Sequence, residues 1–280
     1  MTCESLAEHL TDPDWVLFDC RTDLADANKG PAQYAQSHIP GAYLARLDRD
    51  LSGPVGDGSH GRHPLPFAFG RFLQIHGVTP ETQIVAYDDA AGQWASRLWW
   101  LARHYGLRRV AILDGGLTRW KALGLPMRAD RETPRKTSTS DFRPGHMPVV
   151  ETDRIELDQL SKGGYQLVDA RAGERYRGEV ELVDRQAGHI PGALSAPFMA
   201  NVGPDMRFRT ADELRSRFER ILGVQEVGRV ACYCGSGTTA PHDILAMELA
   251  GMGTAALYPG SWSEWSFLGA GRAVAKGEQA

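Results

Sequence analysis

Cysteine is scarce, with four in 280 residues, too few and too scattered for a disulfide-stapled scaffold. No apolar run approaches the ~20 residues that a membrane-spanning helix needs. Basic blocks and acidic tails are also missing. The formal charge is −4, from 31 basic and 35 acidic side chains, so neither a nucleic-acid partner nor a membrane surface is expected. The opening Met1-Thr2-Cys3-Glu4-Ser5-Leu6 has neither the basic nor the apolar region of a secretory signal, and a reducing cytoplasm is the expectation. With 42% hydrophobic residues, the chain can build one large core or two smaller ones.

The densest chemical signal is Cys234-Gly235-Ser236-Gly237-Thr238-Thr239. A short apolar run, Arg229 to Tyr233, precedes it, and a helix-like run from Ala240 to Ala250 follows, stopped by Gly251. A thiol at the tip of a strand, ahead of small residues that open a helix, sits where backbone N–H groups converge. Such a place favours an anion, and so a thiolate over a thiol. The glycines let the backbone close around whatever the sulfur carries. The pattern points to a cysteine nucleophile, the alternative being a buried strand-end cysteine followed by a tight turn.

The chain also repeats itself. Leu17-Phe18-Asp19-Cys20-Arg21 returns as Leu167-Val168-Asp169-Ala170-Arg171, and His38-Ile39-Pro40-Gly41-Ala42 as His189-Ile190-Pro191-Gly192-Ala193. Ile84 to Asp88 returns as Val230 to Cys234, and Leu113 to Trp120 as Tyr258 to Trp265. The matches keep their order at offsets of 145 to 151 residues, which implies duplication of one module. Within each module, short apolar strands alternate with helical patterns. Arg97 to Gly106 reads as a helix stopped by glycine, and Ala211 to Phe218 as one capped by Thr210. The fold class is therefore α/β, two tandem modules, each a mostly parallel sheet flanked by helices. Ligands of such sheets bind beyond the carboxyl ends of the strands, where Cys234 is expected. The predicted organisation is a first domain over 1–125, a linker over 126–148 rich in Pro, Ser and Thr, and a second domain over 149–280.

These residues together resemble a two-domain rhodanese-type sulfurtransferase. The resemblance rests on Tyr34 with His38-Ile39-Pro40-Gly41-Ala42, on the Cys234 loop, and on Ala255 with Tyr258-Pro259-Gly260-Ser261-Trp262-Ser263-Glu264-Trp265. It implies transfer of a sulfane sulfur: the cysteine takes a sulfur atom from a donor, becomes a persulfide, and passes it to cyanide or a thiol. A covalent persulfide needs no cofactor, and no metal is expected. The partners implied are a small-molecule donor, a thiol or cyanide acceptor and a thioredoxin-like reductant. Asp88 stands where Cys234 stands in the repeat, and a carboxylate cannot form a persulfide, so the first domain is expected to be catalytically silent.

The loop residues Gly235, Gly237, Thr238 and Thr239 carry no cation, which resembles the 3-mercaptopyruvate enzymes of this family, with Thr238 replacing their usual valine. The resemblance implies a proton relay of Ser236, His63 and Asp48, which would reprotonate the enolate left when mercaptopyruvate gives up its sulfur. It further implies that Arg175 binds the donor carboxylate, with Arg185 as the second arginine and Arg177 as its competitor. The stretch Arg175 to Glu181 also occurs in bacterial members labelled as thiosulfate sulfurtransferases, so thiosulfate stays open as a donor. A persulfide carrier serving a protein partner is the remoter alternative. A cysteine phosphatase would need an arginine six residues beyond the nucleophile, and Ala240 is there instead. Cys232, two residues back on the strand, reads as a packed residue rather than a resolving thiol, and Trp94 as core rather than cleft lining.

Overall fold

The structure is a computed structural model describing residues 1–129, 131–160, 164–267 and 271–278. It divides into two compact units. The first holds Met1–Gly53, Leu65–Met147 and Pro204–Arg207; the second holds Pro54–Pro64, Pro148–Gly203 and Phe208–Ala280. Each half of the sequence thus contributes a short segment to the unit built mainly from the other half. Of residues 126–148, read from sequence as a linker, Arg128 and Ser138 are tied to the first unit by backbone bonds to His38 and Gln74.

The first unit contains strands β1 (Trp15–Asp19), β2 (Ala42–Leu44), β3 (Gln83–Tyr87) and β4 (Val110–Ile112), all parallel, in the order β2-β1-β3-β4. The second contains β5 (Gln166–Asp169), β6 (Leu194–Ser195), β7 (Val230–Tyr233) and β8 (Ala256–Leu257), again parallel, in the order β6-β5-β7-β8. The central strands β3 and β7 read as continuous apolar runs because helices cover a parallel sheet on both faces. All four residues of β7 are buried. The expected helices form at Ala95–His104 and Ala211–Leu222, the latter with a capping box between Thr210 and Glu213.

The two cores are built from corresponding residues. Leu17, Ile39, Val85, Tyr87 and Trp120 pack in one; Leu167, Ile190, Ala231, Tyr233 and Trp265 pack in the other. Trp120 donates its indole N–H to Pro126 O and Trp265 donates to Ala273 O, both at 2.8 Å. The His-Ile-Pro-Gly-Ala signature serves the fold rather than the chemistry. His38 stacks on Tyr34 and donates Nδ1–H to its carbonyl at 2.7 Å; His189 does the same with Tyr176 at 2.8 Å. Beside each, a buried guanidinium (Arg21 or Arg171) grips the aspartate at the end of β1 or β5 at 2.6 Å and reaches one backbone carbonyl. These groups lock the turn that feeds β2 or β6.

Candidate active site

Strand β7 ends at Tyr233, and the helix Ala240–Leu249 starts after six intervening residues, with Pro241 in its first turn. Cys234 to Thr239 form the turn between them. Cys234 is buried, and its Sγ accepts the Thr239 N–H at 3.3 Å. Around it the Tyr-Pro-Gly-Ser-Trp signature acts as a brace. The Cys234 N–H donates to Ser261 Oγ at 3.1 Å, and Ser261 passes its own proton to Tyr258 O at 2.9 Å. The N–H groups of Trp262 and Ser263 hold the carbonyls of Cys234 and Gly235 at 3.0 and 2.9 Å. Ser261 adopts φ 55°, a left-handed conformation costing about 1 kcal/mol or more for a residue with a Cβ, and the hydroxyl bridge offsets that cost. Gly237 has no such alternative. It lies at φ +73°, and a Cβ there would stand 2.3 Å from Pro259 O.

The corresponding turn in the first unit shows what this backbone shape accommodates. Asp88 follows β3 as Cys234 follows β7, and it is completely buried. Its Oδ1 accepts the N–H groups of Ala90 and Gly92 at 2.9 and 2.8 Å, and its Oδ2 those of Trp94 and Ala95 at 2.8 and 2.9 Å. Burial raises the Asp88 pKa while these amides oppose the rise. Ala91 takes φ 59° where the repeat has Gly237 at φ 73°. The Asp88 turn is an anion cradle filled by its own side chain. Trp94 is part of that wrapping, buried as the sequence suggested.

The segment Pro54–Pro64 brings two further side chains to the Cys234 loop. His63 Nδ1 shares a hydrogen bond of 2.8 Å with Ser236 Oγ, joining two of the three residues expected in the relay. Asp48 lies in the first unit, where Arg46 holds its carboxylate at 2.9 Å and lowers its pKa. The second side chain, Arg62, went unnoticed in the sequence. Its backbone N–H donates to Ser263 Oγ at 3.1 Å, and its Nη2 lies 3.0 Å from where a Cβ on Gly235 would stand. Arg175 Nη1 lies 3.5 Å from that same point.

Two acidic residues, also unexpected, hold these cations. Asp184 contacts Arg62 at 3.2 Å and Arg175 at 3.1 Å, and Glu181 takes Arg175 at 2.7 Å. Burial raises the Asp184 pKa, with Arg62 and Arg175 opposing. Burial also pushes Glu181 upward, but the Asp184 and Val183 N–H groups and Arg175 outweigh it and leave Glu181 low. Arg185 stacks over Phe267 at 5.7 Å and, with Arg62 and Asp184, lines a cavity of about 200 Å³. Arg177 is turned to Glu179 at 2.7 Å. Thr238 and Thr239 are buried in the loop. Burial drives the Cys232 thiol well above its usual pKa, with Asp243 adding to the shift, in keeping with a packed strand residue.

Comparison with known proteins agrees with this geometry. The rhodanese-like domain pattern matches residues 2–123 and again 155–267. A Pseudomonas aeruginosa protein named "Probable 3-mercaptopyruvate sulfurtransferase" is 43% identical over 268 residues, covering 95% of this chain and 94% of its own. The mouse thiosulfate sulfurtransferase is 30% identical over 270 residues, covering 94% of this chain and 88% of its own. The solved 3-mercaptopyruvate sulfurtransferase of Leishmania major superposes with a TM-score of 0.82 at 29% identity, covering 95% of this chain and 73% of its own. With the pattern present twice and a cysteine only in the second copy of the cradle, the chain belongs to the rhodanese family of sulfurtransferases, as a tandem pair of rhodanese-like domains.

Proposed function

We propose that this protein moves a sulfane sulfur from 3-mercaptopyruvate to a thiophilic acceptor, cyanide or a thiol, through a persulfide on Cys234. One observation carries the reading. Cys234 occupies the turn whose counterpart encloses the Asp88 carboxylate with amide N–H groups, so the fold offers an anion site and places sulfur in it.

In the first half-reaction the Cys234 thiolate attacks the donor sulfur. An S–S bond forms, the donor's C–S bond breaks, and its electron pair leaves on carbon as the enolate of pyruvate. The proton first carried by the donor thiol ends on that carbon. The hydrogen bond between Ser236 and His63 supports a relay through that pair, with Asp48 expected to orient the histidine. In the second half-reaction the acceptor attacks the outer sulfur, the S–S bond breaks, and the thiolate returns. Loop amides hold the charge on sulfur throughout, and no bound cofactor enters the scheme. Arg175 is the cation for the donor carboxylate. The four cysteines are free thiols, in keeping with a reducing cytoplasm, where a thioredoxin-like dithiol would serve as acceptor.

Thiosulfate is the second reading, favoured by the name of the mouse relative. Here the leaving group is sulfite and no carbon needs a proton. The deciding experiment measures kcat/KM for each donor with cyanide as common acceptor, together with the intact mass of the donor-treated protein. A higher kcat/KM for 3-mercaptopyruvate and a gain of one sulfur atom, absent from Cys234→Ser, are expected. No added sulfur with either donor would refute the mechanism.

A further inference from the structure

The loop carries no positive charge of its own, yet two guanidinium groups converge on Gly235 from outside it. Arg175 was expected; Arg62 comes from the segment that also supplies His63. Its position is fixed at the backbone. Ser263 Oγ accepts the Arg62 N–H, while the Ser263 N–H holds the Gly235 carbonyl at 2.9 Å, so one serine sets the distance between Arg62 and the nucleophile loop.

The acidic partners matter as much as the cations. The Asp184 and Glu181 side chains are only 4% and 3% exposed, behind Arg62 and Arg175 at 28% and 24%. Asp184 spans both guanidinium groups: Oδ1 lies 3.2 Å from Arg62 Nε, and Oδ2 lies 3.3 Å from Arg62 Nη2 and 3.1 Å from Arg175 Nη2. Arg62 Nη2 and Arg175 Nη1 lie nearest the loop, while Asp184 pairs with Arg62 through Nε and Nη2 and Glu181 with Arg175 through Nε and Nη2, so both cations are already neutralised. The quartet Arg62, Arg175, Asp184 and Glu181 has a formal charge of zero. It presents planar N–H donors suited to a carboxylate without the excess positive field that a compact dianion would need.

We propose that Arg62 is the second donor-binding guanidinium of this site, and that Asp184, by neutralising Arg62 and Arg175 together, selects a singly charged carboxylate donor over dianionic thiosulfate. The proposal rests on the sulfur-transfer reading above. Arg185, stacked on Phe267, is left to line the neighbouring cavity.

The test compares full-length wild type, Arg62→Gln, Arg62→Lys and Asp184→Asn, with kcat and KM for 3-mercaptopyruvate and for thiosulfate, cyanide as acceptor. Arg62→Gln should raise KM for 3-mercaptopyruvate about tenfold with kcat changed by less than about threefold, and Arg62→Lys should recover part of the loss. Asp184→Asn should raise the thiosulfate to 3-mercaptopyruvate ratio of kcat/KM by about tenfold. A purely structural role would lower both donors alike and leave that ratio unmoved. An unchanged KM in Arg62→Gln, or an unchanged ratio in Asp184→Asn, overturns the proposal while leaving sulfur transfer standing. If Asp184→Asn does not fold, the KM of Arg62→Gln, a partly exposed side chain, decides alone. Wild-type protein inert toward both donors would remove the reading of the site and this proposal together.

Discussion

Replacing Asp88 with asparagine tests whether the turn after β3 is held together by its carboxylate. Asp88 accepts four backbone N–H groups, two on each oxygen, at 2.8 to 2.9 Å in a fully buried setting. Asparagine keeps one oxygen. Whichever way its amide turns, two of those N–H groups face an NH₂ group and lose their acceptor. A buried donor left unsatisfied costs about 1–3 kcal/mol, so the pair costs about 2–6 kcal/mol. Burial raises the Asp88 pKa, so the charged form already bears a desolvation cost that asparagine escapes. The net loss should be about 2–4 kcal/mol, a large fraction of the ~5–15 kcal/mol that holds a typical domain. Urea unfolding followed by circular dichroism would show it, fitted with separate transitions if the two units melt apart. Activity toward 3-mercaptopyruvate below the transition should stay within about twofold, because Asp88 touches no reacting atom. A stability change under about 0.5 kcal/mol would refute the claim that this carboxylate organises the turn, and with it the comparison that makes the Cys234 turn an anion cradle.

Other outcomes follow from the same geometry. Ser236→Ala should slow turnover of 3-mercaptopyruvate by about 100-fold while affecting thiosulfate far less, since only the first donor leaves a carbon to protonate; equal losses in kcat would count against the relay. Gly237→Ala must relieve a 2.3 Å approach to Pro259 O by moving the loop, and kcat/KM should fall about tenfold or more for both donors, whereas an unaffected rate would mean the loop geometry is not critical. Burial pushes the Asp243 carboxyl up to about 6, with Arg217 opposing. The native state then holds that proton more tightly than the unfolded chain, so stability falls as pH rises from about 4 to about 6, by about 3 kcal/mol. Asp243→Asn should flatten that stretch of the pH profile, and a variant profile parallel to wild type would show that the group does not titrate this way.

Much of the site was legible because its chemistry is local. Cys234 and its glycines are contiguous, and a strand-to-helix turn can be read from a few residues on either side. The alternation of strands and helices implied the parallel sheets, and Thr210 was legible as a helix N-cap, though its capping box with Glu213 came only with the structure. Other features depend on contacts that no local pattern encodes. Arg62 sits next to His63 in the sequence, but only the fold brings its guanidinium to Gly235. Nothing local in the acidic and apolar stretch that holds Glu181 and Asp184 shows what they face, two cations drawn from segments more than a hundred residues apart. Ser261 was visible only as a letter in a signature, until its hydroxyl was seen bridging the Cys234 amide and the Tyr258 carbonyl.

The segment Pro54–Pro64 packs with the second unit, and Pro204–Arg207, at the corresponding place in the repeat, packs with the first. The barter is reciprocal in architecture but lopsided in yield. One loan brings an imidazole to Ser236 and a guanidinium to Gly235, while the other delivers Arg207 to an ion pair with Asp114 at 3.2 Å. Duplication therefore did more here than add a spare copy. The second unit is closed by a strap that the first half of the sequence supplies, and that strap carries the histidine bonded to Ser236.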